Sequence, residues 1–180
     1  MTEQRKLYGE ERRNKLLEIL RESAEPVTGS ELSRMTHVSR QVIVSDVTLL
    51  KAKNEPIIAT SQGYIYMSPT NSKQYERIIT CSHSPEQTEQ ELNLLVDLGI
   101  TIKDVKIEHP VYGDLTASIM VSSRREVRQF IQRITDSNAS YLSVLANGVH
   151  LHTLSADSEQ HLDEAEAALK EAGFLIDYIS

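Results

Sequence analysis

The first fifty residues are cut into three helical stretches by signals that leave the backbone few alternatives. The Glu25-Pro26 pair ends a helix expected over Gly9–Arg21, because proline disfavours helical geometry in the residue before it. Thr28 or Ser30 then caps a short helix through Glu31, Leu32 and Met35. After the turn Thr36-His37-Val38, Ser39 caps a longer helix running to about Lys53. Within it Ile43, Val47 and Leu50 recur at i, i+4 and i+7 and face a core. Ile57–Thr60 and Tyr64–Met67, joined through Ser61-Gln62-Gly63, read as a β-hairpin. Three helices and a hairpin in this order predict a winged helix-turn-helix over residues 1–68.

The face of the third helix away from that core suits the major groove. Ser39, Arg40, Gln41, Val44, Ser45 and Thr48 lie on it, with Lys51 and Lys53 at its far end placed for phosphates. Arg40 and Gln41 sit in the first turn, where base-reading residues cluster, and each can form paired hydrogen bonds to a base edge. A helical bundle that binds protein rather than DNA is the plainer alternative. Arg40 speaks against it, since a solvated face needs no forked donor at a helix start. The net charge of −7 is unevenly spread: residues 1–70 carry ten Lys/Arg against nine Asp/Glu, and the remainder nine against seventeen. A nearly neutral DNA-facing unit on an acidic body fits, because phosphate binding needs local rather than total positive charge.

Residues 69–74 are polar and hold Pro69, as an interdomain linker would. Beyond them, strand and helix patterns alternate: a strand at Arg77–Cys81, a helix capped by Ser84 and ended by Gly99, and strands at Ile102–Glu108 and Leu115–Val121. A helix after Ser123, a strand at Val149–Leu154, a helix from Ser158 to Ala172 and a strand at Phe174–Ile179 complete residues 75–180. The fold class is α+β, the second domain a two-layer sandwich with a mainly antiparallel sheet.

Five of the six histidines fall in this second domain. In Val149-His150-Leu151-His152 alternate side chains share a strand face, so both imidazoles point one way with Cα atoms about 7 Å apart, while Val149 and Leu151 point to the core. Such a pair either holds a cation or sits on a wet strand face. His109, in the turn before Pro110, either braces that turn or, with Tyr112, lines a ligand pocket. Cys81 is expected to be a packing residue, and no nucleophilic triad or phosphate-binding glycine loop is present, so catalysis is not expected. A single cysteine, no signal-peptide pattern and no apolar run near the ~20 residues of a membrane span point to a cytoplasmic protein with no membrane partner.

Two resemblances sharpen this. Val27–Ser33 with Val38–Lys51 resembles the helix-turn-helix of biotin-operon repressors and many bacterial regulators. The blocks Cys81–Glu86, Glu108–Gly113 and Gly148–Thr153 resemble the three-histidine regulatory domain of niacin-responsive repressors of bacterial NAD biosynthesis. That resemblance implies a divalent metal, zinc or nickel, held by His83, Glu91, His150 and His152, and nicotinic acid as a corepressor bound beside it. Glu86 is nearer His83 in sequence; Glu91 lies about 10 Å along the helix from the Ser84 cap, so it meets His83 only if the helix runs beside the site. The resemblance implies a DNA-binding repressor of niacin and NAD-biosynthesis genes. A homodimer is expected, since paired recognition helices reach successive major grooves roughly 34 Å apart. The alternatives are a repressor that senses the metal itself and a histidine-based enzyme or phosphocarrier.

Overall fold

A computed structural model describes residues 8–67 and 74–176, and the chain divides into two compact units, residues 1–70 and 71–180. In the first unit α1 (Gly9–Glu22), α2 (Gly29–Thr36) and α3 (Arg40–Ala52) precede β1 (Ile57–Thr60) and β2 (Gly63–Tyr66). Thr28, not Ser30, is the cap of α2. Its hydroxyl accepts from Glu31 N at 3.2 Å, and the Glu31 carboxylate accepts from Thr28 N at 2.8 Å. His37 closes α2 in the left-handed region at φ 53°, and Ser39 caps α3. Helices of 8 to 14 residues are marginal alone, so their shared core does the holding: Leu16, Leu20, Leu32, Ile43, Val47, Leu50 and Ile57.

The hairpin is held to the entry of α2 by an antiparallel bridge. Val27 N donates to Tyr64 O at 2.9 Å and Tyr64 N to Val27 O at 2.8 Å. Gly63, at φ 139°, permits this approach, because a Cβ there would lie 2.6 Å from Val27 O. The second strand therefore begins at Gly63, one residue ahead of the expected Tyr64, and ends at Tyr66.

One polar residue of α3 faces inward. Asp46 is 2% exposed and takes Arg12 Nε at 2.5 Å and Arg12 Nη2 at 3.2 Å, with Arg13 Nη1 at 3.5 Å. The paired contact fixes α1 across α3, and the carboxylate raises the Arg12 pKa against the opposing effect of burial.

In the second unit β3 (Tyr75–Ser82), α4 (Thr88–Asp97), β4 (Thr101–His109), β5 (Gly113–Val121), α5 (Arg124–Ser137), β6 (Val149–Ala156) and α6 (Glu159–Glu171) alternate, with 3-10 turns at Pro85–Gln87 and Leu142–Ala146. The sheet order is β3-β6-β4-β5 and every pairing is antiparallel. Its inner face, through Ile79, Cys81, Ile102, Val121, Leu154 and Ala156, shares one core with Leu92, Leu95 and Val96 of α4, Val127 of α5 and Leu162, Ala165 and Leu169 of α6. This is the expected sandwich with helices on one face.

Two expectations need correction. The terminal strand over Phe174–Ile179 is reduced to a bridge between Cys81 and Leu175, with Ser82 N bonding Phe174 O and Ile176 N bonding Thr80 O. Its last three positions lie outside the described residues, as does all of the expected linker except Gln74. The faces of β6 are also reversed. His150 and His152 are each 3% exposed and point into the core, whereas Val149 is 43% exposed and Leu151 half-buried. The register decides this, since it sets His150 opposite Cys81 and His152 opposite Ile79, two core-facing residues of β3.

Replacing Asp46 with alanine is expected to destabilise the first unit by at least about 2 kcal/mol in a denaturant titration, because it removes the buried carboxylate that takes the Arg12 guanidinium in a paired contact.

Candidate metal centre and nucleic-acid interface

Every residue expected to touch DNA is exposed along α3 or at its cap: Ser39, Arg40, Gln41, Val44, Ser45, Thr48 and Lys51. Ser45 and Thr48 turn their hydroxyls back to the Gln41 and Val44 carbonyls, at 3.1 and 2.8 Å. Arg40 opens the helix beside Gly29, where a Cβ would come 3.5 Å from its Nε.

The second unit gathers its expected ligand residues at one point. His83 follows β3, Glu91 sits in the first turn of α4, and His150 and His152 come from β6. Glu91 Oε2 lies 2.7 Å from His83 Nε2 and 3.4 Å from both His150 Nε2 and His152 Nε2. Ligand atoms of His83, Glu91 and His150 all fall within 4.8 Å of one another. The His150 ring meets the His83 and His152 rings edge-on, with centroids 4.8 Å apart in both pairs. Helix α4 does run beside the site, as a Glu91 partnership requires; Glu86 stays exposed in the preceding turn.

The opposite ring nitrogens define what the centre needs. His83 Nδ1 bonds Ser84 O at 2.8 Å, His150 Nδ1 bonds Gly148 O at 2.8 Å, and His152 Nδ1 bonds Asp104 O at 2.7 Å. A carbonyl only accepts, so each Nδ1 carries the proton. Each Nε2 then either bears a lone pair, which an anionic oxygen repels, or a second proton. The arrangement is stable only with positive charge at its centre, supplied by imidazolium protons or by a cation. Three nitrogens and one carboxylate, each imidazole oriented through its far nitrogen, match the donor set and outer support of zinc or nickel sites. Glu91 Oε1, buried and without a hydrogen-bond partner, is a further acceptor that such an ion would satisfy.

The ionisation of the cluster follows from the same contacts. Burial opposes charge on His83 and His152, but hydrogen bonding and attraction to Glu91 prevail and raise both pKa values. Burial likewise works against the Glu91 carboxylate, and the three imidazoles overcome it, holding Glu91 well below the usual carboxylate range. Cys81, fully buried beneath the cluster, has its thiol pKa driven up by burial and by Glu91, so it is a packing residue.

Two supports were illegible in the sequence. A β-bulge between Ile102 and Asp104 shifts the register of β4 against both neighbours, and the Asp104 carbonyl there receives His152. The Asp104 carboxylate accepts from Thr153 N at 3.0 Å, and Lys106 Nζ bonds Thr153 Oγ1 at 2.8 Å. Gly148, at φ 90°, brings its own carbonyl to His150, and a Cβ there would stand 2.6 Å from His83 O.

His109 and Tyr112 occupy the tip of the β4–β5 hairpin. His109 Nδ1 accepts from Val111 N and Tyr112 N at 3.2 and 3.3 Å, the turn-bracing role. The two rings lie 5.0 Å apart, and Tyr112 is 75% exposed. Neither ring is among the residues brought together at Glu91. No helix among the described residues is long and apolar enough to cross a membrane.

Residues 76–178 match the 3H domain family, and residues 12–65 match a family of HTH domains. Over 178 residues the chain is 61% identical to the transcription repressor NadR of Bacillus subtilis (strain 168), spanning 98% of this chain and 99% of that protein. Over 172 residues it is 38% identical to the probable transcription repressor NiaR of Thermotoga maritima, spanning 96% and 97%.

Metal-free protein carries a pH signature with a definite sign. A histidine whose folded pKa is raised stabilises fully below its unfolded value, about 6.5, and the contribution fades as pH rises through the folded value. The melting temperature of chelated protein is therefore expected to fall from pH 6 to about pH 8, and zinc is expected to restore it most at the upper end. Gly148→Ala is expected to weaken zinc binding at least about tenfold in a competition titration, since the strained Cβ displaces the His83 carbonyl.

Proposed function

The chain belongs to the family that places a helix-turn-helix before a 3H domain, and on that premise we propose that it is a transcription repressor controlled by nicotinic acid. The repressor role follows from the names its two relatives carry and from the exposed face of α3. The genes repressed are those of niacin and NAD biosynthesis, nicotinic acid is the corepressor, and the protein works as a homodimer so that two copies of α3 reach successive major grooves.

The observation that carries the ligand-sensing part is the convergence of three oriented imidazoles on one buried carboxylate oxygen. His83, Glu91, His150 and His152 would hold a divalent metal ion, zinc or nickel. When bound, that ion supplies positive charge to a carboxylate ligand at the centre. The carbonyls of Ser84, Gly148 and Asp104 orient the imidazoles, so the centre is held in advance of any ligand. His109 and Tyr112, whose rings lie 5.0 Å apart at the hairpin tip, would line the side of the pocket that receives the pyridine ring. Nicotinate shifts DNA affinity only as far as it prefers the DNA-binding conformation, and the coupling is reciprocal: operator DNA tightens nicotinate binding by the same factor.

A repressor sensing the metal alone is the second reading, favoured by the ligand atoms of His83, Glu91 and His150 lying within 4.8 Å of one another. Mobility shifts on operator DNA separate the two when run with and without nicotinate, on metal-loaded and chelated protein. The expected result is tighter DNA binding with nicotinate at constant metal, lost on chelation. A response to metal with none to nicotinate favours the second reading. His109→Ala is expected to blunt the nicotinate response about tenfold with metal content unchanged; an undiminished response removes His109 from the ligand site.

A further inference from the structure

Thr88 is the first residue of α4 and lies one helical turn before Glu91 on the same buried face. It is 8% exposed, its hydroxyl is fully enclosed, and that hydroxyl has no hydrogen-bond partner among the described residues. Threonines within helices ordinarily turn the hydroxyl back to the carbonyl four residues earlier. Thr36 bonds Leu32 O at 2.6 Å, Thr48 bonds Val44 O at 2.8 Å and Thr135 bonds Ile131 O at 3.1 Å. For Thr88 that carbonyl belongs to Ser84, which already holds His83 Nδ1 at 2.8 Å. The hydroxyl is left as a spare donor inside the protein, where an unsatisfied polar group is costly. Residues three apart on a helix have β-carbons about 5–6 Å apart, so this donor stands within reach of whatever binds against Glu91.

From this we infer that Thr88 is a further ligand-contact residue, whose hydroxyl donates a hydrogen bond to an oxygen of a small carboxylate bound at the histidine–glutamate cluster. The inference rests on the reading of that cluster as the nicotinate and metal site. A cation held there would satisfy Glu91 Oε1, leaving the Thr88 hydroxyl as a donor for an incoming anion.

The test is calorimetric titration of nicotinate into the zinc-loaded full chain, with Thr88→Val and Thr88→Ser as variants. The valine variant is expected to bind nicotinate about tenfold more weakly, the worth of one hydrogen bond to a charged group. The serine variant keeps the donor and is expected to stay within about threefold of the parent. Zinc content should match in all three proteins. The metal-free valine variant should melt no lower than the parent, because it loses an unsatisfied hydroxyl rather than a bond. Unchanged nicotinate affinity in Thr88→Val overturns the assignment, as does a lowered metal-free melting temperature or a lost zinc, either of which makes Thr88 structural. If the zinc-loaded parent itself takes up no nicotinate, the reading of the cluster fails and the Thr88 assignment falls with it.

Discussion

A carboxylate oxygen sealed inside a protein must be met by positive charge, and Glu91 Oε2 is met by three imidazole nitrogens, one following β3 and two from β6. That demand organises the second unit. Helix α4 must lie along the sheet for Glu91 to arrive, and β3 must end where His83 turns in. The first residues of β6 must sit between β3 and β4 with their histidines facing the helices. The backbone adapts to suit: the bulge on β4 delivers the Asp104 carbonyl and the left-handed Gly148 delivers its own. The apolar core that surrounds the cluster on the same face excludes water, which strengthens every one of these interactions.

The first unit solves a smaller problem by related means. Its recognition helix must present one polar face outward while being fixed in place from behind. Ile43, Val47 and Leu50 supply the apolar contact, and the Asp46–Arg12 pair adds a directional tie that apolar packing lacks. The hairpin is fastened to the start of α2 by two backbone hydrogen bonds, so wing and helices form one body. A helix presented by an apolar core and a buried cluster that demands positive charge are separate requirements, and the chain meets them in separate units.

Much of this was legible in the residues themselves. Thr28, Ser39, Ser123 and Ser158 announce helix starts because a short hydroxyl meets an orphan backbone N–H locally, whereas the expected Ser84 cap heads the 3-10 turn Pro85–Gln87 and the α-helix begins at Thr88. Ile43, Val47 and Leu50 announce a buried face by period alone. The four cluster residues follow from the family resemblance, since spacing alone leaves Glu86 and Glu91 both open. His109 showed its turn-bracing alternative in the sequence, and the hairpin tip has that bond.

What the sequence determined by itself is the local layer: where helices start, which stripe of each is apolar, and that His150 and His152 share a face. What only the tertiary structure decided is which way that face points, that Asp46 lies inside, that the last strand shrinks to a bridge, and that the Thr88 hydroxyl goes unused. Capping and periodicity depend on neighbours within a turn or two of chain. Strand register and buried charge depend on partners tens of residues away, and a slip of one residue would have turned both histidines out to water.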